Sequence, residues 1–283
     1  MQVSVIIPTY NRVQTLIRAI DSVLNQKSPV DEIIVVDDGS TDDTANQISR
    51  NYPNVKLIRQ SNLGVSAARN TGIKQACFEW IALLDSDDTW MPEKISAIQQ
   101  AQQAQPEILL FHSDEIWIRN GVRVNPMNKH RKSGGWIFEH CLPLCVISPS
   151  AAVVHQSLLQ SAAYFDETLP ACEDYDLWLK ICHQFPVAFL DRPLITKYGG
   201  HDDQLSGQFW GMDRFRIRSL ERLLEQQQLT RQQYFAAESM LTRKLNILLN
   251  GAKKHSNQEV IDEFSPMLDR IKNSVNSQNS VAC

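Results

Sequence analysis

No uncharged apolar stretch of this 283-residue chain approaches the length that crosses a bilayer, which takes about 20 consecutive apolar residues. A soluble protein is the expectation, with peripheral membrane association left open. The cysteines, Cys77, Cys141, Cys145, Cys172, Cys182 and Cys283, include no Cys-x-x-Cys pair and no disulfide framework. Structural zinc and a stapled secreted fold therefore drop out, and reduced thiols in a cytoplasmic protein are the simpler account. Strand-like Val3 to Ile7 at the start leaves no room for a signal peptide. Positive charge is also in short supply: 28 Lys and Arg stand against 32 Asp and Glu, a net charge of -4. Without a basic face there is no reason to expect a nucleic-acid partner.

Acid in one place is what the chain does have. Leu83-Leu84-Asp85-Ser86-Asp87-Asp88-Thr89-Trp90 puts three carboxylates into four positions behind the apolar run Trp80 to Leu84. Such a run reads as a buried strand, so the acids fall at its carboxyl end, where open α/β sheets bind ligands. Like charges this close repel by several kcal/mol at a partly buried site unless a cation or protons intervene. A hard divalent ion with oxygen ligands is the natural relief; a solvated acidic turn is the plainer alternative.

The surrounding pattern alternates strand and helix. Val3 to Ile7, Ile33 to Val36, Val55 to Ile58, Trp80 to Leu84 and Ile108 to Phe111 are strand-like. Between them lie Leu16, Ile20, Val23 and Leu24 at helical spacing, a small-residue helix from Ser66 to Ala76, and a helix marked by Ile95 and Ile98. This order implies an α/β fold with a mainly parallel sheet and helices on both faces. Ser113 to Pro149, with Gly121, Gly134-Gly135 and Lys129-His130-Arg131-Lys132, reads as an irregular loop region whose basic run is either solvated or able to close over phosphates. From Asp213 the pattern is helical, with a capping box at Thr230 and Gln233 and a stop at Asn250-Gly251. Two units are expected: 1–212 as an α/β domain, and 213–283 as a helical extension.

Three further constellations carry candidate chemistry, the first two of them at the same ligand edge. Asp37-Asp38-Gly39-Ser40 ends the second strand, where a carboxylate can accept from a base N–H or a ribose hydroxyl, although Gly39 and Ser40 alone are explained by a turn. Thr9-Tyr10-Asn11-Arg12 ends the first strand, with Tyr10 able to stack on a base; Arg69 offers a planar donor fork to a diphosphate. Glu173-Asp174-Tyr175-Asp176 opens a helix whose apolar face is Leu177, Trp178 and Ile181, so its acids lie at the positive end of the dipole. A carboxylate held there and kept ionised suits a general base. His201, in a glycine-rich loop, is a weaker candidate.

Taken in order, Pro8-Thr9-Tyr10-Asn11-Arg12, Val36-Asp37-Asp38-Gly39-Ser40, Ala68-Arg69-Asn70-Thr71-Gly72, Asp85-Ser86-Asp87-Asp88 and Glu173-Asp174-Tyr175-Asp176 resemble the family-2 glycosyltransferases with a GT-A fold, over about the first two hundred residues. The resemblance implies a Rossmann-like sheet with flanking helices and an inverting transfer of sugar from a nucleotide-diphosphate donor, a UDP-sugar foremost, to a saccharide or lipid-linked saccharide acceptor. By it, Thr9, Tyr10, Arg12 and Asp38 hold the nucleotide, Arg69 lies near the diphosphate, and Asp85 and Asp87 belong to the DxD motif. Asp87 and Asp88, with His201, bind Mn²⁺ or Mg²⁺; Asp174 is the base, and Glu173 or Asp176 orients the acceptor or backbone. A cytoplasmic protein, able to sit at the inner membrane face, is implied.

Two rivals remain on sequence. Asp85-Ser86-Asp87-Asp88-Thr89 also satisfies the Asp-x-Asp-x-Thr pattern of haloacid-dehalogenase-like phosphatases, with Asp85 as nucleophile and Asp87 as acid/base. That leaves Asp37-Asp38 and Glu173-Asp174 without a role. The other is a nucleotide-sugar-binding protein without turnover.

Overall fold

The computed structural model describes residues 1–200, 209–226 and 228–281, with side chains to residue 273. Strand β1 (Val3–Thr9) is buried at every position, as a parallel strand covered on both faces should be. Helix α1 (Val13–Leu24) buries Leu16, Ala19, Ile20 and Val23; Leu24, expected on that face, is exposed. There follow β2 (Glu32–Asp37), α2 (Thr44–Asn51), β3 (Lys56–Arg59), α3 (Val65–Lys74), β4 (Trp80–Leu83), β5 (Thr89–Trp90) and α4 (Lys94–Ala104). The middle holds β6 (Leu110–Arg119), β7 (Val122–Val124), α5 (Phe138–Cys141), β8 (Val153–His155), α6 (Gln156–Ser161), α7 (Glu173–Cys182) and β9 (Ala188–Gly199). Three helices close the described chain: α8 (Asp213–Glu225), α9 (Arg231–Lys254) and α10 (Gln258–Val281).

The expected α/β sheet is present. Its order is β3-β2-β1-β4-β8-β6-β9-β5, with β7 paired to β6. β3, β2, β1 and β4 run parallel, so their carboxyl ends form one edge that carries Thr9, Asp37 and the turn after Leu83. β8 lies antiparallel between β4 and β6, and β6 and β9 are parallel to each other. Helix α3 rides close on this sheet. A Cβ added at Gly72 would stand 2.5 Å from Ile6 Cγ2 and 3.1 Å from Val36 Cγ2, so glycine permits an approach that brings Arg69 to the ligand edge.

Two local expectations are corrected. The segment from Ser113 is not loop at its start: β6 continues to Arg119 and pairs with β9. Polar Ser113, Asp114 and Glu115 interrupt its apolar pattern and hid it from periodicity. Asn250-Gly251 does not stop α9, which runs to Lys254. A helical glycine costs about 1 kcal/mol, less than the burial of Leu248, Leu249 and Ala252 around it returns. The capping box at Thr230 and Gln233 forms as expected. Phe215, Leu220, Leu241, Leu245 and Phe264 share one apolar cluster with Ile6, Ile81, Leu110 and Trp178, so the terminal helices pack on the same core as the sheet. No helix among the described residues is long and apolar enough to cross a membrane.

Candidate active site

The site begins where β1 and β2 end. Asp38 N–H donates to Thr9 O at 2.9 Å, which ties the two strand termini together. Gly39, at φ +84°, takes a turn that a side chain would strain, and its added Cβ would meet Asn62 N at 2.8 Å. Asp37 accepts from Ser40 N–H at 2.9 Å and closes that turn. Asp38 faces the next loop, accepting from Gln60 Nε2 at 2.7 Å, Leu63 N at 2.9 Å and Gly64 N at 2.8 Å. The carboxylate expected at the nucleotide thus shapes the loop leading into α3. Tyr10 is 44% exposed beside it, and Thr9 Oγ1 is buried without a hydrogen-bond partner among the described residues.

Asn11, at φ 51°, redirects the chain, and Arg12 then reaches Asp87, Nη1 to Oδ2, at 2.9 Å. Arg18, from α1, donates to the Asp87 carbonyl at 2.6 Å and stacks over the Tyr198 ring at 3.8 Å. The acidic turn is closed by Asp88 N–H donating to Asp85 O at 3.0 Å.

Arg69 is the junction of the site. Only 3% exposed, it donates Nη2 to Asp85 Oδ1 and Nη1 to Glu173 Oε1, each at 2.7 Å. One guanidinium therefore joins the turn after β4 to the first turn of α7, 104 residues apart for the Glu173 bond. Burial works to raise the Asp85 pKa, but the charges of Arg69, Lys197 and Arg12 hold it below the ordinary carboxylate value. Glu173 is raised, chiefly by burial and by Asp174 beside it, despite Arg69.

Asp174 is in the first turn of α7 and only partly covered. Cys172, which precedes the helix, is held in the left-handed region at φ 61°, a strained conformation for a residue with a Cβ. Asp176 lies apart, paired with Lys180 at 2.6 Å. Asp88, 2% exposed, accepts from Ser150 Oγ at 2.6 Å and from Tyr198 N at 3.1 Å. Burial and the neighbouring Asp87 and Asp85 push its pKa well up, against Lys197.

Lys197, Ser150 and Glu115 were not singled out by sequence reasoning. Burial disfavours the Lys197 ammonium, yet Glu115, Asp88, Asp85 and Asp174 outweigh it and raise its pKa, so one cation faces acids from three segments. Lys132, from the basic run, is no solvated charge: it is 8% exposed and pairs with Glu115 at 2.7 Å. Lys94 carries the one legible signal, since it shares the buried face of α4 with Ile95, Ala97 and Ile98.

The structure therefore brings Arg12, Arg69, Asp85, Asp87, Asp88, Glu173 and Asp174 into one network, with Thr9, Tyr10 and Asp38 along the same sheet edge; His201 lies outside the described residues. Among the described residues no three His, Cys, Asp or Glu side chains form a metal cage. Mg²⁺ and Mn²⁺ at a diphosphate take one or two carboxylates and complete their shell from phosphates and water. The Asp85–Asp88 turn fits that requirement. It suits a phosphatase nucleophile poorly, because Arg69 already engages Asp85.

Residues 4–140 match the model of Glycosyl transferase family 2. A Rickettsia felis protein called an uncharacterized glycosyltransferase is 33% identical over 201 residues, 68% of this chain and 32% of the relative. The chain spans about a third of the length of that relative. Among solved structures, S. aureus TarS 1–349 in complex with UDP-GlcNAc aligns with TM-score 0.72 at 22% identity, covering 96% of this chain and 79% of that one. The mannosyltransferase PcManGT from Pyrobaculum calidifontis, in complex with GDP-Man and Mn²⁺, gives TM-score 0.63 at 15% identity over 96% and 84%. These two likenesses establish a shared GT-A fold.

Proposed function

Because this chain belongs to glycosyl transferase family 2, we propose that it transfers a sugar from a nucleotide-diphosphate donor to an acceptor hydroxyl with inversion, Asp174 acting as the base. The observation that carries this reading is the pair of bonds from Arg69 to Asp85 and Glu173, which sets the donor-side acids and the start of α7 against each other. Nucleotide sugars in the neighbouring structures, UDP-GlcNAc in TarS and GDP-Man in PcManGT, support the donor class.

In the proposed reaction the acceptor oxygen bonds to the anomeric carbon while the bond from that carbon to the diphosphate oxygen breaks, its electron pair leaving with the nucleotide. Asp174, in the first turn of α7, takes the acceptor proton. Thr9, Tyr10 and Arg12 line the donor side, with Tyr10 exposed for stacking on the base and Asp38 holding the loop beneath it. Glu173 acts through Arg69, whose fork fixes Asp85. Asp87, with Asp88 and Asp85 beside it, would hold Mn²⁺ or Mg²⁺. Such an ion supplies charge neutralisation to the leaving diphosphate, worth several kcal/mol in the transition state.

Asp174→Asn is expected to reduce transfer by about 10²- to 10⁴-fold while UDP or GDP binding with Mn²⁺, measured by calorimetry, is retained. Retained transfer would remove Asp174 from the role of base. Chelation by EDTA is expected to stop turnover; full activity after exhaustive chelation would remove the metal from the scheme.

A further inference from the structure

The Asp85–Asp88 turn has a mechanical problem that its own backbone does not solve. Three carboxylates repel one another, and within the turn a backbone bond runs from Asp88 N–H to Asp85 O. The support comes from a distant segment. Ser150 is fully buried; its hydroxyl donates to Asp88 Oδ2 at 2.6 Å and accepts from Asp85 N–H at 3.1 Å. A single hydroxyl thereby uses its one proton and a lone pair on the two ends of the turn.

Ser150 is itself gripped from behind. Trp90 Nε1 donates to Ser150 O at 3.0 Å, and Lys94 Nζ donates to Ala151 O at 2.9 Å. Lys94 is fully buried, and its ammonium lies over the Trp90 ring at 5.2 Å. Two residues before Ser150, Ser148 Oγ accepts from Lys197 at 3.2 Å, the cation that faces the same acids. The turn Pro149–Ala151 is thus anchored on three sides and presents one hydroxyl forward.

We infer that Ser150 is a positioning residue of the donor site, holding the acidic turn in the geometry that binds a nucleotide-bound divalent cation. The inference rests on the glycosyltransferase reading above. It goes beyond that reading by placing a determinant of cation affinity in a residue that touches neither donor nor acceptor. Losing an outer partner of a ligating group typically costs about 10–100-fold in metal affinity or activity.

The test compares wild type, Ser150→Ala and Trp90→Phe for Mn²⁺ binding in the presence of UDP or GDP, by electron paramagnetic resonance of free Mn²⁺, with thermal unfolding in parallel. Ser150→Ala is expected to fold and to bind Mn²⁺ with the nucleotide about 10–100-fold more weakly. Trp90→Phe, which keeps a ring but removes the N–H that grips Ser150, is expected to move in the same direction by less. A folded Ser150→Ala with wild-type Mn²⁺ affinity overturns the inference. If Ser150→Ala does not fold, Trp90→Phe decides: weakened Mn²⁺ binding supports the role, and unchanged binding overturns it. Wild type that binds neither nucleotide with Mn²⁺ overturns the donor reading itself, and the inference falls with it.

Discussion

Replacing Arg69 by methionine keeps most of its buried stem and removes the charge that joins Asp85 to Glu173. Both lost bonds are charge-assisted at 2.7 Å, and Glu173 is 5% exposed, so water cannot replace them fully. Stranding buried carboxylates by removing their partner costs about 3–5 kcal/mol. At about 2–4 °C per kcal/mol for a protein of this size, the midpoint at neutral pH should fall by roughly 6–20 °C. The pH dependence has a definite sign. In wild type the depressed Asp85 pKa contributes stability above the unfolded value of about 3.9, and this is lost as acid protonates it. In Arg69→Met the Asp85 and Glu173 pKa values rise, so proton uptake relieves the stranded charges. The gap between wild type and variant is therefore largest at pH 7 and narrows toward pH 4, as differential scanning calorimetry across that range would record. A gap that stays constant with pH, or a variant as stable as wild type at pH 7, would refute the argument that Arg69 is held as a buried counter-ion.

Lys132→Met strands Glu115, whose pKa is held at about 2, against burial, by Lys132 and Lys197; a loss of about 3–5 kcal/mol is expected at pH 7, shrinking below the unfolded glutamate pKa of about 4.3, and urea titration at pH 7 and pH 4 checks it. Asp38→Asn turns an acceptor into a donor against Gln60, Leu63 or Gly64, which should cost about 1–3 kcal/mol and increase amide exchange at Leu63 and Gly64; unchanged exchange would mean the loop does not depend on Asp38. Gly72→Ala drives a Cβ into Ile6, with an expected cost of about 1–3 kcal/mol for overpacking in a denaturant melt, and a variant at wild-type stability would show that α3 can lift from the sheet freely.

Local chemistry made much of this site legible. Asp85, Asp87 and Asp88 follow an apolar run, and that run is the buried strand β4; Glu173 and Asp174 stand at the start of a helix whose apolar spacing is intact. Both signals are contained within a few residues, where strand burial and helical periodicity act. β6 was half visible because its register against β9, and not an apolar alternation of its own, sustains it past Ser113. Lys132 looked like part of a solvated basic run for a related reason: the feature that distinguishes it, Glu115 at 2.7 Å, is on a different element.

The amino-acid order alone determined the alternating strands and helices of the first third, the helical character after Asp213, where the carboxylates lie along the chain, and which family the motifs resemble, because these depend on short-range spacing of apolar, acidic and glycine residues. Only the tertiary structure decided that Arg69 spans Asp85 and Glu173, that Lys197 faces acids from three segments, and that Ser150 braces the acidic turn. Those pairings join residues up to about a hundred positions apart. They exist because the parallel strands end on one edge and α3 packs close upon them, which no local pattern records.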